Sequence, residues 1–436
     1  MSSIAIQEQL SFFETEPLVS VGERTDSSST FAGNSALPIH RWFRYSAGFS
    51  ATWVRQVIER EKANGRRTVL DPFAGSGTTT LEGEGAGLES IGLEAHPFVA
   101  RIGQAKIQWR SDVKAFRTLH GRVLEYAEDH PVNERNPPKL LATCFPSATL
   151  DRLVSLRNAL EKIGDGGAAS KLAWLVLMAI IRECSPVGTA QWQYVLPNKS
   201  KSRVADPFTA FAAKGTLFAR DMESRQRLVH GPCAEIRQED ARDSESLPEK
   251  WADLIVTSPP YANNYDYADA TRLEMTFAGE IRGYGELQKA VRGYLVRSCS
   301  QHVAPIRSTI EETLSGPQLE PIRFEIREVC RLLSIERLTH GGKKDYDTMI
   351  AAYFSDMAKI WRQLRRVASD GAQVCFVVGD SAPYGVHVAV DRWLGELAMA
   401  AGFKSFWFEK TRDRNVKWKN RKHRVPLQEG RLWVEG

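Results

Sequence analysis

The stretch Asp253-Leu254-Ile255-Val256-Thr257-Ser258-Pro259-Pro260-Tyr261 constrains this chain more than any other. A short aliphatic run bounded by turn residues is the pattern of a parallel strand covered on both faces. Two successive prolines then remove the donors that a sheet ladder needs, so the strand stops and the backbone turns away. In open α/β sheets ligands bind just beyond the carboxyl ends of the strands. Ser258, Pro259, Pro260 and Tyr261 are therefore candidates for a working site.

A second block has the same character. Arg67-Thr68-Val69-Leu70-Asp71 reads as a short strand, Pro72 to Gly77 as a glycine-rich turn, and the small residues from Thr78 onward as a helix. Gly75 and Gly77 let a backbone approach a ligand closely, and a helix start offers free amides. A further strand, Ser90 to Glu94, delivers an acid about 20 positions past the turn, where a ribose hydroxyl pair needs an acceptor. Strand, turn, helix, strand and acid in that order predict a nucleoside-cofactor site. Asp240, closing a third strand at 234–240, suits either an adenine amino group or a helix cap.

The rest of the chain sets limits on what surrounds these blocks. At 436 residues, with 42% hydrophobic and 25% charged, the composition is that of a globular protein with length for one large or two moderate domains. Six cysteines, Cys144, Cys184, Cys233, Cys299, Cys330 and Cys375, form no CxxC pair. That spacing argues against a zinc site and, without a secretory signal, for reduced thiols in the cytoplasm; no metal is expected. The longest apolar run, Leu172 to Ile181, is too short to span a bilayer. A net charge of +5 favours anionic partners weakly, but the positive residues cluster.

Along the chain, residues 1–35 read as a flexible N-terminal arm. An aromatic group (Trp42, Phe43, Tyr45, Phe49), which plain core packing would also explain, precedes a helix capped by Ser50 and ending near Gly65. Residues 106–231 and 275–345 lack β/α alternation and read as two mainly helical insertions, the second a candidate for target recognition. In the first, Trp192 and Tyr194 beside Lys199, Lys201 and Arg203 suit nucleic acid or, equally, a solvated loop. Helix 346–368, strand 373–380, helix 386–401 and two last strands restore α/β order, and those two strands are expected to pair antiparallel. Between them runs a basic loop with Arg414, Lys417, Lys419 and Arg421, a candidate phosphate contact or an ordinary soluble loop, and Asn263 offers a polar group close to the proline turn.

DPFAGSGTT at 71–79 and TSPPY at 257–261 together resemble the SAM-dependent amino-methyltransferases of DNA. The resemblance covers about half the chain, near 38–105, 232–270 and 346–436. It implies an α/β, Rossmann-like seven-stranded methyltransferase sheet, mostly parallel with an antiparallel final strand. The catalytic domain would comprise 36–105, 232–274 and 346–436. S-adenosyl-L-methionine would lie against Phe49, Ser50, Asp71, Phe73, Gly75, Gly77 and Thr78, with Glu94 on its ribose and Asp240 on its adenine. The motif Ser258-Pro259-Pro260-Tyr261 would hold the exocyclic amine of a base flipped out of double-stranded DNA. Ser258 in the first motif position favours cytosine N4 over adenine N6. A cognate restriction endonuclease or a defence system would be the partner. The competing readings are an RNA guanine-N2 methyltransferase, a nicotinamide-dependent oxidoreductase and a non-catalytic nucleic-acid-binding protein.

Overall fold

The computed structural model of the protein describes residues 31–45, 48–189, 194–303, 310–341, 344–414 and 426–436. Nine strands occur among them: β1 (Thr68–Asp71), β2 (Glu89–Leu93), β3 (Val187–Thr189), β4 (Val195–Ser200), β5 (Glu235–Arg237), β6 (Ala252–Thr257), β7 (Ala368–Gly379), β8 (Ser405–Arg414) and β9 (Leu427–Glu435). Seven form one sheet in the order β5-β2-β1-β6-β7-β9-β8, parallel except that β9 runs against both neighbours. Strand order reverses at β1 and β6, which pair directly (Val69 opposite Leu254, Leu70 opposite Ile255). That switch point is where such a sheet leaves a crevice.

The aliphatic run of β6 is buried because both faces are covered. Leu254 and Val256 join Trp53, Val54, Val57 and Ile58 of the helix Ala51–Ala63, while Ile255 faces a separate core built on the helix Tyr346–Val367. The same alternation places Val69 of β1 in the first core and Leu70 in the second.

The insertions extend these layers. Helices Val113–Asp129, Ser147–Ile163, Ala168–Ile180 and Pro207–Gln226 form a third core. It includes Leu81 and Phe98 beside the sheet and reaches Leu273, Phe277, Ile281 and Leu295 of the later segment. Helix Arg323–Thr339 instead packs through Ile326, Val329 and Leu333 on the core of helix Tyr346–Val367. The stretch 275–345 is thus divided between two sides of the molecule.

Four local expectations are corrected. The end of the anticipated arm is structured: residues Phe31–Ala36 form a 3-10 helix in which the buried Asn34 donates to Phe49 O (2.9 Å) and accepts from Ala51 N (2.9 Å). Residues 195–200, expected as loop, pair with β3 as a two-stranded ribbon, which polar exposed strands do not announce by periodicity. The helix after β7 begins only at Val390, because Pro383-Tyr384-Gly385 makes a turn with Tyr384 at φ 53°. Strand β7 starts at Ala368, earlier than expected, with a bulge around Gly371 (φ 75°) that carries it past β6. Residues 1–30, most of the expected arm, and Trp192 lie outside the described residues.

Asn34→Ala strips partners from two buried backbone groups, and we expect a loss of about 1–3 kcal/mol. A urea unfolding midpoint equal to that of the parent protein would show that the Asn34 bonds hold nothing.

Candidate active site

The two motifs meet in one buried hydrogen bond. Thr257 Oγ1, closing β6, donates to Asp71 Oδ1 at the end of β1 (2.5 Å), and the same oxygen accepts from Phe73 N (3.0 Å). Thr79 Oγ1, on the helix after the glycine turn, donates to Val256 O (3.1 Å). Asp71 is fully buried, and desolvation pushes its carboxyl up to about 6 against the pull of these donors.

Glu94 does the matching work at the next strand. Its Oε2 accepts from Gly75 N and its Oε1 from His96 N, both at 2.8 Å, so the carboxylate clamps the glycine turn to the end of β2. Burial raises Glu94 to about 7 and lowers His96 to about 3, so this imidazole stays neutral, its Nε2 paired with Thr271 Oγ1 (3.0 Å). Gly75 (φ 54°) faces the Tyr45 ring, 3.1 Å from where a Cβ would stand. Gly77 does not line the cleft but packs tightly next to it. It precedes the helix Thr78–Gly85 at φ 89°, and a Cβ there would meet Ile236 Cδ1 at 3.0 Å.

A single cleft collects most of the anticipated residues. Phe49, Phe73, Gly75, Thr78, Glu94 and Asp240 line it together with Ser258 and Pro260. Pro259 is buried beside it, Asp71 lies beneath it, and Ser50 caps the helix Ala51–Ala63 by accepting from Trp53 N (3.3 Å). Asp240 caps no helix. Its carboxylate pairs with Arg242 (2.5 Å), which also reaches Asp356 Oδ2 (3.1 Å) and donates to Tyr294 O (2.9 Å).

Tyr261 stands next to the cleft with its N–H directed at Tyr267 Oη (3.4 Å), and burial raises its phenol. The Arg414 guanidinium lies 5.4 Å from the Tyr261 ring centre, donates to Asp380 O (2.8 Å) and approaches Glu429 Oε2 (3.7 Å). Arg414 belongs to β8, which extends further than the sequence pattern indicates, so it is held within the fold rather than free in a loop. Asn263 is exposed and donates its backbone N–H to Tyr261 O (2.7 Å). Lys417, Lys419 and Arg421 lie outside the described residues.

Sequence reasoning missed several walls of the cleft. His96, two positions past Glu94, and Tyr45, one of the aromatics ahead of the helix Ala51–Ala63, both line it. Tyr294, Leu295 and Val296 reach the cleft from the second insertion, and no local signal marked them. Among the described residues no cluster of three or more His, Cys, Asp or Glu could hold a metal ion, and no helix is long and apolar enough to cross a membrane.

A seven-stranded sheet with this order, and a cleft joining the ends of β1 and β6 around the switch point, define a Rossmann-like methyltransferase fold. No family model matches the chain. It is 27% identical over 411 residues to the Type II methyltransferase M.AvaI of Nostoc sp. and, equally, of Anabaena variabilis, covering 86% of this chain and 81% of each relative. It is 24% identical over 422 residues to the Type II methyltransferase M.BsoBI of Geobacillus stearothermophilus, covering 86% of this chain and 80% of that one. The resemblance drawn from two short motifs is therefore borne out over most of the chain: this protein is a relative of the Type II methyltransferases.

Thr257→Val keeps the shape of the side chain and removes its donor to Asp71. Asp71 has a raised folded-state pKa, so its ionisation lowers stability as pH climbs through about 6, and losing the donor adds to that cost only where the carboxylate is charged. The variant should lose about 1.5–3 kcal/mol at pH 8 and clearly less at pH 5; equal denaturant midpoint shifts at both pH values would contradict this account.

Proposed function

We propose that this protein is a site-specific DNA methyltransferase that uses S-adenosyl-L-methionine to methylate an exocyclic amine, cytosine N4, on a base turned out of the duplex. The observation that carries the reading is the shared cleft, in which Ser258 and Pro260 stand with Phe73, Gly75 and Glu94. A donor held by the glycine turn and an amine held by the proline turn would meet there.

The residues fit such a donor. Gly75 leaves room beside Tyr45 that a side chain would take up, Phe49 and Phe73 supply apolar wall, and the Glu94 carboxyl suits ribose hydroxyls. When bound, S-adenosyl-L-methionine supplies an electrophilic methyl, so that a C–N bond forms as its C–S bond breaks and the amine yields one proton to water. The chain's own task is to hold and shape the amine, whose lone pair is otherwise delocalised into the ring. Ser258 Oγ donates toward Val377 O of β7 at 3.4 Å, which turns the hydroxyl lone pairs outward as acceptors. An amine N–H given to Ser258 Oγ and another to the Pro259 carbonyl favour a pyramidal nitrogen, and fixed acceptors of this kind lower a barrier without reorganising. Tyr261 offers a ring for stacking of the flipped base. The serine that opens the motif supports cytosine N4 over adenine N6, and a cognate restriction endonuclease is the partner whose cutting this methylation would block.

The deciding experiment treats DNA with the protein and labelled S-adenosyl-L-methionine, digests it to nucleosides and identifies the product by mass. N4-methylcytosine is the expected outcome; N6-methyladenine would move the assignment to the other amine, and label in RNA alone would reject DNA as substrate. Ser258→Ala should lower turnover by roughly a hundredfold while leaving donor affinity within about twofold; parallel loss of both would detach Ser258 from the amine.

Ribose hydroxyls donating to Glu94 favour its ionised form, whereas in the free protein that carboxyl titrates near 7. Donor binding should therefore release a proton below about pH 7, and affinity measured calorimetrically should rise by up to about tenfold per unit between pH 6 and 7 before levelling off. Glu94→Gln should flatten that slope, and a slope that survives the substitution would place the titrating group elsewhere.

A further inference from the structure

Among the described residues the ribbon of β3 and β4 is the second of two sheets, and its polar residues face solvent. Its register is broken. Val187 pairs with Ser200, but the next residue, Gly188, pairs with Leu196, so Pro197, Asn198 and Lys199 form a three-residue bulge between these two pairs. All three are exposed. Gly188 lets the bulge fold against the ribbon, because a Cβ there would come 2.9 Å from Lys199 Cβ and 3.2 Å from Lys199 O. Bulges of this kind re-aim side chains.

Both ends of the ribbon are anchored. At one, Lys201 donates from its backbone N–H to Pro186 O (2.8 Å) and from Nζ to Arg182 O (2.6 Å), and the Arg182 guanidinium is itself ion-paired with the buried Glu274. At the other, Tyr194 Oη accepts from Asp266 N (2.9 Å) and donates to Asp266 O (3.3 Å). Asp266 lies five residues beyond Tyr261, and its carboxylate is fixed by Arg292 (2.6 Å). Ring contacts continue inward: Tyr194 stacks on Tyr265 (5.6 Å between centres), Tyr265 meets Tyr267 edge-on (4.6 Å), and the Tyr267 hydroxyl accepts the Tyr261 N–H. An unbroken line of contacts therefore runs from an exposed basic ribbon to the proline turn.

We propose that this ribbon reads base edges in the major groove of duplex DNA through Asn198 and Lys199, and that Tyr194 is a positioning residue that ties the ribbon to the catalytic turn. A two-stranded ribbon fits the width of that groove, and Asn and Lys are side chains that discriminate adenine and guanine there. Exposed Arg203, just past the ribbon, adds positive charge facing the same polyanion. The inference rests on the DNA-methyltransferase reading above and adds to it the segment that selects the sequence.

The test uses the full-length chain expressed in a bacterial host, with every modified position in host and plasmid DNA mapped by single-molecule sequencing. The parent protein sets the motif; if it modifies no DNA although it binds S-adenosyl-L-methionine, the DNA reading itself falls, before the ribbon is tested. In the exposed double variant N198A/K199A, donor affinity should stay within about twofold, modification at parental sites should fall tenfold or more, and sites differing at one or two positions should appear. An unchanged motif overturns the proposal, whether the rate is unaltered or falls uniformly, the latter being the mark of a phosphate contact. Tyr194→Phe keeps the ring stack and loses both bonds to Asp266. It should lower kcat about fivefold or more with motif and donor affinity unchanged; an unaltered kcat, or a loss matched by a loss of donor affinity, would remove Tyr194 from this role.

Discussion

The cleft depends on a carboxylate placed where carboxylates are costly. Asp71 is buried at the junction of β1 and β6, and what offsets its desolvation is the convergence on Oδ1 of the Thr257 hydroxyl and the Phe73 amide. These donors belong to the two motifs themselves. One interaction consequently fixes the spacing between the glycine turn and the proline turn, and it does so at the point where the strand order reverses and a crevice opens at the strand ends. Glu94 repeats the device at β2, holding the amides of Gly75 and His96. Two buried acids, each bonded to backbone, keep the floor of the cleft rigid.

Rigidity of the walls comes from elsewhere. The segment Tyr294–Val296 is held at the cleft by Leu295 and Val296 in two apolar cores, by Arg242, which joins Tyr294 O to Asp240 and Asp356, and by Arg297, which pairs with the fully buried Asp356 (2.5 Å) on helix Tyr346–Val367. Removing a partner from such a buried cluster leaves an uncompensated charge, which is far more costly than losing an exposed pair. Asp266 anchors the segment just beyond the proline turn. It caps the short helix Tyr267–Ala270, accepts from Arg292 and has its carboxyl held down at about 2, the nearby His302 (3.6 Å) and the Arg292 guanidinium outweighing the effect of burial. The segment 292–302 is therefore fastened beside the cleft by buried ion pairs rather than hung on it as an appendage.

The electrostatics of the cleft follow from the same burial. Asp71 and Glu94 are both raised toward neutrality, each by desolvation, and the charge on Asp71 raises Glu94 further. A positive charge brought close to either carboxyl would favour its ionised form. On the opposite side of the glycine turn, Lys106 is buried with its Nζ near Ser76 Oγ (3.3 Å) and His40 O (3.2 Å), and burial lowers it to about 7. The turn thus lies between two buried acids and a buried amine, each shifted by desolvation toward its neutral form.

How far the sequence speaks for the structure follows from which forces act locally. The strands at 68–71, 89–93 and 252–257 are legible because aliphatic runs covered on both faces leave a continuous pattern, and the glycines and prolines that end them impose backbone geometry on their own. The ribbon is not legible, since exposed polar strands bury no face and so carry no alternation. Nor is the division of 275–345 between two cores, because Leu295 and Ile326 are equally apolar and only tertiary packing sends them to opposite sides. The contribution of 294–296 to the cleft is secured in part by Arg242 and Asp356, residues 114 positions apart whose pairing no window of sequence contains. Gly77 teaches the converse lesson. Its position in a glycine-rich turn suggests room for a ligand, and the structure adds a second demand on the same residue, since φ 89° and the Ile236 side chain by themselves require a glycine there.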